Sequence, residues 1–497
     1  IMKPKLCGQQ WKKGIYQSVW KEMANPLDTE KSWTYGQLPE YIWLALILDK
    51  LGRIEGINQA VRILKYWKEI NPKIEDCRFS TLLAESVENQ QELFDQIRLS
   101  VGDNTLEPLT LIFDIHEYPT FNGNFYNKMS IEKRLSKIEQ IMQECMGSQT
   151  NMTTDIKYIV LFFRSICNKI KVMKGQEHII DYLNDYARLP HENEKMHTIR
   201  PLVRSMFGTI QFMDKSNLVY LNKFWEDLSC MSTCKLFSVN LSEVDEQNLN
   251  KDQCVEAFQN IFDYFISIKQ DVLILDEKMT VLLGLAVFAY NRFYEVYKHD
   301  LDNSISGRSS VRGLFEILII MKYLIHEANN HDNIWMDYQL YGLGKYKLVC
   351  EVNKDKINMP EGEGTHIPLK YLNILVEEFF RPEFLDINTN YFDDTNIRKK
   401  AEITGLADLY ATYYEYLTSY EHSFWGSVRE SSFVKCDNPA HQYHCIPSIE
   451  QHDNLTSVWN DCVLLMHHIV NVLNEEYRIP DKLLVEVNKF GPKSVNG

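Results

Sequence analysis

The sequence predicts an all-α protein built from two helical-bundle domains, and three observations carry that expectation. Apolar residues recur at three- and four-residue intervals along nearly the whole chain, whereas strict alternation at period two is rare and short. At 497 residues the chain exceeds what a single hydrophobic core serves. A polar segment poor in periodic apolar residues, FSVNLSEVDEQNLNKDQ (237–253), then marks a junction between an N-terminal helical domain over 1–240 and a C-terminal bundle over 250–497.

In the first half the spacing predicts helices over 10–23, 39–50, 55–70, 89–99, 130–146, 154–173, 177–187, 193–213 and 217–230. Clusters such as NPLD, EYPTFNGN and GSQTNMTTD separate them, because proline, glycine and asparagine end helices and favour turns. Beyond the junction, helices are expected over 254–269, 276–299, 308–328, 332–352, 368–379, 401–424 and 455–477. Two irregular inserts, NMPEGEGTHIP (358–368) and RPEFLDINTNYFDDTN (381–396), interrupt this half.

Composition narrows the function classes. A net charge of -15 argues against a general electrostatic grip on nucleic acid, leaving RNA only the route of a local basic pocket. Eleven cysteines without dense regular spacing read as reduced thiols and favour the cytoplasm. The N-terminal run IMKPKLCGQQWKKG lacks an apolar stretch of signal-peptide length. YIWLALIL (41–48), TVLLGLAVFAY (280–290) and LFEILIIM (314–321) are core helices, well short of the roughly 18 to 20 residues of a membrane span.

The GxxxxGK[ST], GxGxxG, GxSxG and HExxH signatures are absent from the sequence, which removes the common nucleotide, hydrolase and zincin readings. A polar stripe is more informative. Asp408, Glu415, His422 and Arg429 recur every seven residues, with Thr412 and Ser419 between them, and on one continuous helix they would share a face. Such a face is ordinarily solvated, but Trp425 beside the helix-weakening Gly426 suits a pocket better than a plain solvent surface. His422 could move a proton near neutral pH, and Arg429 could hold a phosphate or carboxylate by two hydrogen bonds.

A second stripe places Arg308, Arg312 and Glu316 at i, i+4 and i+8, with Glu316 inside an apolar run, which predicts a partly buried Arg312–Glu316 pair serving either packing or an anion site. Arg292 and His299, with six residues between them and Glu295 on the same face, imitate the R-x(4–6)-H spacing of HEPN ribonucleases, so the C-terminal bundle is open to a HEPN-like arrangement. Phe293 stands where that family usually carries a polar residue.

Cys436, His441, His444 and Cys445 are four zinc-ligand types within ten positions, but C-x4-H-x2-H-C matches no standard zinc pattern, and the expectation is a loop whose histidines pack or cap. Cys230 and Cys234 read as core thiols. No metal or cofactor is expected.

The segments RSSVRGLFEILIIMKYL, IWMDYQLYGLGKYKL and YEYLTSYEHSFWGSVRESSFVKCDNPAHQYHCIP resemble a family of bacterial helical domains of unknown function, itself similar to abortive-infection and phage-defence-associated proteins. The resemblance spans about 270–480 and is most specific from His422, Trp425, Gly426 and Arg429 to Asn438, Pro439 and His441. It implies a bacterial cytoplasmic defence effector or its helical partner, and it brings no established catalytic residues.

The resulting expectation is an interaction or sensor module. Its C-terminal pocket would be built from Arg312, Glu316, His422, Trp425 and Arg429, with Asn438, His441 and His444 as further ligand-binding residues. The partner would be another protein or a second copy of the chain. The alternative is a metal-independent ribonuclease in which His422 moves the proton, Arg429 or Arg312 stabilises phosphate charge, and Glu316 orients an arginine.

Overall fold

A computed structural model describes residues 9–12, 15–18, 32–170, 178–211, 217–237, 250–271, 276–353, 366–379, 385–387, 393, 395–442, 444–449 and 455–491. The described chain is all-α, with one two-stranded and one three-stranded sheet as minor additions. It divides into two compact units, one of 1–237 with 435–444, the other of 238–434 with 445–497. Residues 358–365 of the first insert, and most of the second, lie outside the described residues.

The first unit is organised around α1 (Leu38–Leu51), whose residues Leu38 through Leu48 are all buried, as a helix apolar on every side must be. Pro39 stands in its first turn, where no N–H is missed, and Gly52 at φ 75° ends it. The chain reverses into α2 (Arg53–Ile70), and a Cβ on Gly56 would come within 2.9 Å of the Leu48 Cα, so only glycine permits this approach. Helices α3 (Val87–Val101), α4 (Ile131–Glu144), α5 (Asn151–Ile166), α6 (Met196–Gln211) and α7 (Leu218–Met231) are the longer of the other helices in this unit. Ser86, Ser130, Thr150 and Asn217 cap four of them by accepting a backbone N–H from three residues on.

Where a helix over 10–23 is expected, the described residues form an antiparallel strand pair instead, β1 (Gln9–Lys12) with β2 (Ile15–Ser18), in the register Trp11 opposite Tyr16. Trp11, Ile15 and Tyr16 favour a pleated surface, and a glycine inside the run weakens the helical alternative.

In the second unit α10 (Ile305–Glu327) is the central helix, packed between α9 (Glu277–Lys298) and α14 (Trp459–Tyr477), with α8 (Lys251–Asp271) and α11 (Ile334–Val352) also present. Ser304 caps α10 through Gly307 N–H, and a Cβ on Gly307 would sit 2.2 Å from the Leu301 carbonyl oxygen, so the preceding turn fits only glycine there.

The expected helix over 401–424 is broken: short helical pieces run over 397–403 and 407–414, then come α12 (Glu415–Glu421) and, after a gap, α13 (Trp425–Ser432). The first break holds Gly405 at φ 74°, whereas the second is a helix stop without glycine. Ser423 takes φ 52°, Phe424 N–H bonds back to Ser419 C=O at 2.9 Å, and Ser423 N–H to Tyr420 C=O at 3.5 Å, which satisfies the last carbonyls of α12.

Within the second core His467 is buried against Phe258, ring centroids 5.4 Å apart, and under Gly491. Burial, assisted by the charge of neighbouring His468, pushes its pKa down to about 4, and burial with Lys322 lowers His468 as well. A histidine kept neutral by the fold is protonated first in the unfolded chain. Stability is therefore full above the ordinary histidine value of about 6.5 and falls as pH drops from there toward 4. Urea midpoints measured between pH 7 and 4 should show this decline, and His467→Gln should flatten it; an unchanged slope in that variant would contradict the assignment.

Candidate functional site

The residues of the expected C-terminal pocket fall into two groups. Arg312 donates from Nε to Glu316 Oε1 at 3.2 Å and from Nη2 to Tyr414 Oη at 3.2 Å, and its guanidinium lies 5.0 Å from the Tyr414 ring centroid. It is 16% exposed against 38% for Glu316. Arg308, 2% exposed, gives its Nη atoms to the Ser304 and Thr456 carbonyls and faces the Tyr420 ring at 5.4 Å. Tyr414 and Tyr420, rather than His422 and Arg429, are thus the residues that the α10 arginines meet.

The second group surrounds the helix stop. His422 ends α12, and its ring neighbours Phe424 at 5.8 Å; Trp425 opens α13 and meets Phe433 edge-on at 5.6 Å. Because the helix stops at Glu421, His422 and Arg429 stand on different elements and the seven-residue stripe is not one face. Phe424 is 54% and Trp425 66% exposed, and His422, Gly426 and Arg429 are exposed with them. A Cβ at Gly426 would meet open space, so its small size serves no close packing in this unit. Tyr416 donates to Glu430 Oε1 at 2.9 Å and so braces α12 against α13.

Arg292 and His299 share α9 and its end but differ in surroundings. The Arg292 guanidinium lies over Phe288 and against Gly313, where a Cβ would come within 2.7 Å of it, while His299 is exposed. Phe293, between them, is wholly buried in the core.

Asn438, His441 and His444 belong to the first unit. Asn438, fully buried, donates Nδ2 to Thr233 C=O at 2.9 Å and accepts Ala440 N–H on Oδ1 at 2.8 Å. Strand β3 (Leu236–Phe237) pairs antiparallel with β4 (Phe433–Cys436), Leu236 opposite Cys436 and Phe237 opposite Lys435. That register brings Cys234 beside Cys436. One ligand atom from each of Cys234, Cys436, His441 and His444 lies within 4.8 Å of the others.

Cys230 and Cys234 are exposed, not core thiols: Cys230 lies on the outward side of α7, and Cys234 follows the end of that helix at Met231, where Ser232 is extended. None of the described cysteines forms a disulfide. Beside this cluster a cleft of about 460 Å³ is bounded by Trp225, Glu226, Ser229, Gln442 and both histidines.

A buried ionic group in the first unit has no counterpart in the sequence reading. Asp155, on α5, accepts from Arg53 Nε at 3.0 Å and Tyr186 Oη at 2.6 Å on one oxygen, and meets His191 Nε2 at 3.1 Å on the other. Arg53 also donates to the Leu189 and Tyr186 carbonyls and stacks 4.8 Å from the Tyr186 ring. Arg53, Asp155 and His191 border a cleft of about 350 Å³ with Leu48, Glu144, Asn151 and Met152. Their spacing across 138 residues, without a motif, left no sequence signal.

Residues 279–441 match the model of a family described as "Family of unknown function (DUF5677)", a span that takes in Arg312, Glu316, His422, Trp425, Arg429, Asn438 and His441. No curated protein and no solved structure matches the chain.

Two outcomes are expected from denaturation experiments. Asp155→Ala should cost roughly 3 to 5 kcal/mol, because it strands the Arg53 guanidinium in a largely buried setting. Arg312→Ala should cost clearly more than Glu316→Gln, whose loss at a partly exposed site should stay below about 1 kcal/mol. A double-mutant cycle that gives the two α10 variants equal cost would contradict the second.

Proposed function

We infer that this chain is a helical interaction or sensor module, acting in the bacterial cytoplasm in antiviral defence of the abortive-infection type that its C-terminal half resembles. The carrying observation is the helix stop at 422–424, which puts Phe424 and Trp425 outward side by side with exposed His422 and Arg429. Aromatic residues with an arginine are the composition of protein-binding hot spots, and a tryptophan so exposed loses nothing by leaving water. The proposed partner is a protein, either a second polypeptide or another copy of the chain.

The ribonuclease reading is second. Accessible His422 suits it, but Arg312 is engaged by Glu316 and Tyr414, and Arg292 packs against Gly313, which leaves Arg429 as the cation nearest in sequence. A HEPN-like use of Arg292 with His299 belongs to the same second reading.

Trp425→Ala should weaken association by roughly 2 kcal/mol, about thirtyfold, while the urea midpoint stays near wild type. Light scattering reads self-association, and affinity capture with quantified stoichiometry reads a second polypeptide, each alongside phage plating efficiency. RNA cleavage that is lost in His422→Ala and retained in Trp425→Ala would replace this reading with the ribonuclease one.

A further inference from the structure

We propose that Cys234, Cys436, His441 and His444 form a structural zinc site in the first unit. Cys234 Sγ lies 3.4 Å from His444 Nε2, and Cys436 Sγ lies 3.7 Å from His441 Nδ1. With metal–sulfur bonds of about 2.3 Å and metal–nitrogen bonds of about 2.0 Å, the sulfur–nitrogen edge of a tetrahedron is roughly 3.5 Å. Both distances stand near that edge, so an ion at the centre requires only small side-chain shifts.

The surroundings orient the ligands. His441 Nε2 faces the Ser232 carbonyl at 3.2 Å; a proton held there leaves the Nδ1 lone pair turned toward Cys436. Asn438 N–H points at Cys436 Sγ at 3.4 Å, a contact that stabilises a thiolate. Asn438 itself is locked by Thr233 and Ala440, and Cys436 N–H bonds to His444 C=O at 2.9 Å, so the loop holding three ligands is built around the fourth. The His441 and His444 rings stack at 5.3 Å. This geometry includes hydrogen-bonded ligand carriers, not merely a cluster of residue types.

The donor set names the metal and its role. Two thiolates with two imidazoles suit zinc, and their two negative charges neutralise a dication. Four protein ligands close the coordination shell, which makes the site structural and leaves no position for substrate or water. Binding would release the two thiol protons and tie the loop 436–444 to the chain leaving α7, across 210 residues of sequence between Cys234 and His444. Cys445, adjacent to His444, lies in β5 (Cys445–Pro447) and is not part of the set.

The test uses the full chain purified under reducing conditions without a metal-affinity tag. Elemental analysis should find about one zinc per chain. Cys234→Ser and His444→Asn should each lower this at least fivefold, whereas Cys230→Ser and Cys445→Ser should retain it. If a ligand variant fails to fold, the wild-type chain still decides: cobalt added to metal-stripped protein should give the intense visible bands of tetrahedral thiolate coordination, and zinc should abolish them stoichiometrically. Absence of zinc together with absence of cobalt bands would overturn the proposal. So would zinc retained in a folded Cys234→Ser, or mass-spectrometric proof of a Cys234–Cys436 disulfide in freshly isolated protein.

Discussion

The seating of residues 435–444 in the first unit is the constraint on which much else rests. The chain leaves the second unit at Val434, contributes a buried Asn438 and Ala440 to the first, and returns at Cys445. Ala440 joins the first hydrophobic core, and Tyr35 Oη holds the Gln442 carbonyl at 2.7 Å. Asn438 ties down the Thr233 carbonyl and satisfies the Ala440 N–H, which would otherwise be buried unpaired at a cost of about 1 to 3 kcal/mol. Without that seat, the β3–β4 pairing, the cleft beside Trp225 and the cysteine–histidine cluster would not form.

The second organising feature is how the fold treats buried cations. Arg53 is held by Asp155 and two carbonyls, Arg308 by two carbonyls and the Tyr420 ring, and Arg312 by Glu316 and Tyr414. Lys400, wholly buried, pairs with Asp393 at 2.6 Å over the Tyr323 ring. In a helical sequence such residues imitate catalytic stripes, because a face periodicity marks position without naming partners. Here tyrosine supplies many of the partners: its ring faces the cation, while its hydroxyl accepts from the cation at Tyr414 or donates to the cation's carboxylate at Tyr186 and Tyr323. That is one structural use for the tyrosine-rich run 410–420.

Legibility followed the range of the interactions. Helices with long periodic patterns were readable to within a few residues: 276–299 against Glu277–Lys298, and 193–213 against Met196–Gln211. The strand pair over 9–18 was not, since a short run of aromatic and β-branched residues is ambiguous between periods. Nor was the stop at Ser423, where a non-glycine residue takes the left-handed conformation and removes the usual signal. In the candidate sites His422, Trp425 and Arg429 were legible as a local oddity. The Asp155 group and Cys234 were not, because their partners lie far away in sequence.

What the sequence alone determined is the helical class, the position of most helices, and the apolar faces that bury them, all of which depend on residues three or four apart. Tertiary structure decided which polar residues meet: Arg312 with Tyr414, Arg53 with Asp155, and Cys234 with Cys436, His441 and His444. The physical reason is that periodicity acts along the chain. Pairing across the chain depends instead on where helices stop and strands register, as Ser423 and the Leu236–Cys436 pair show.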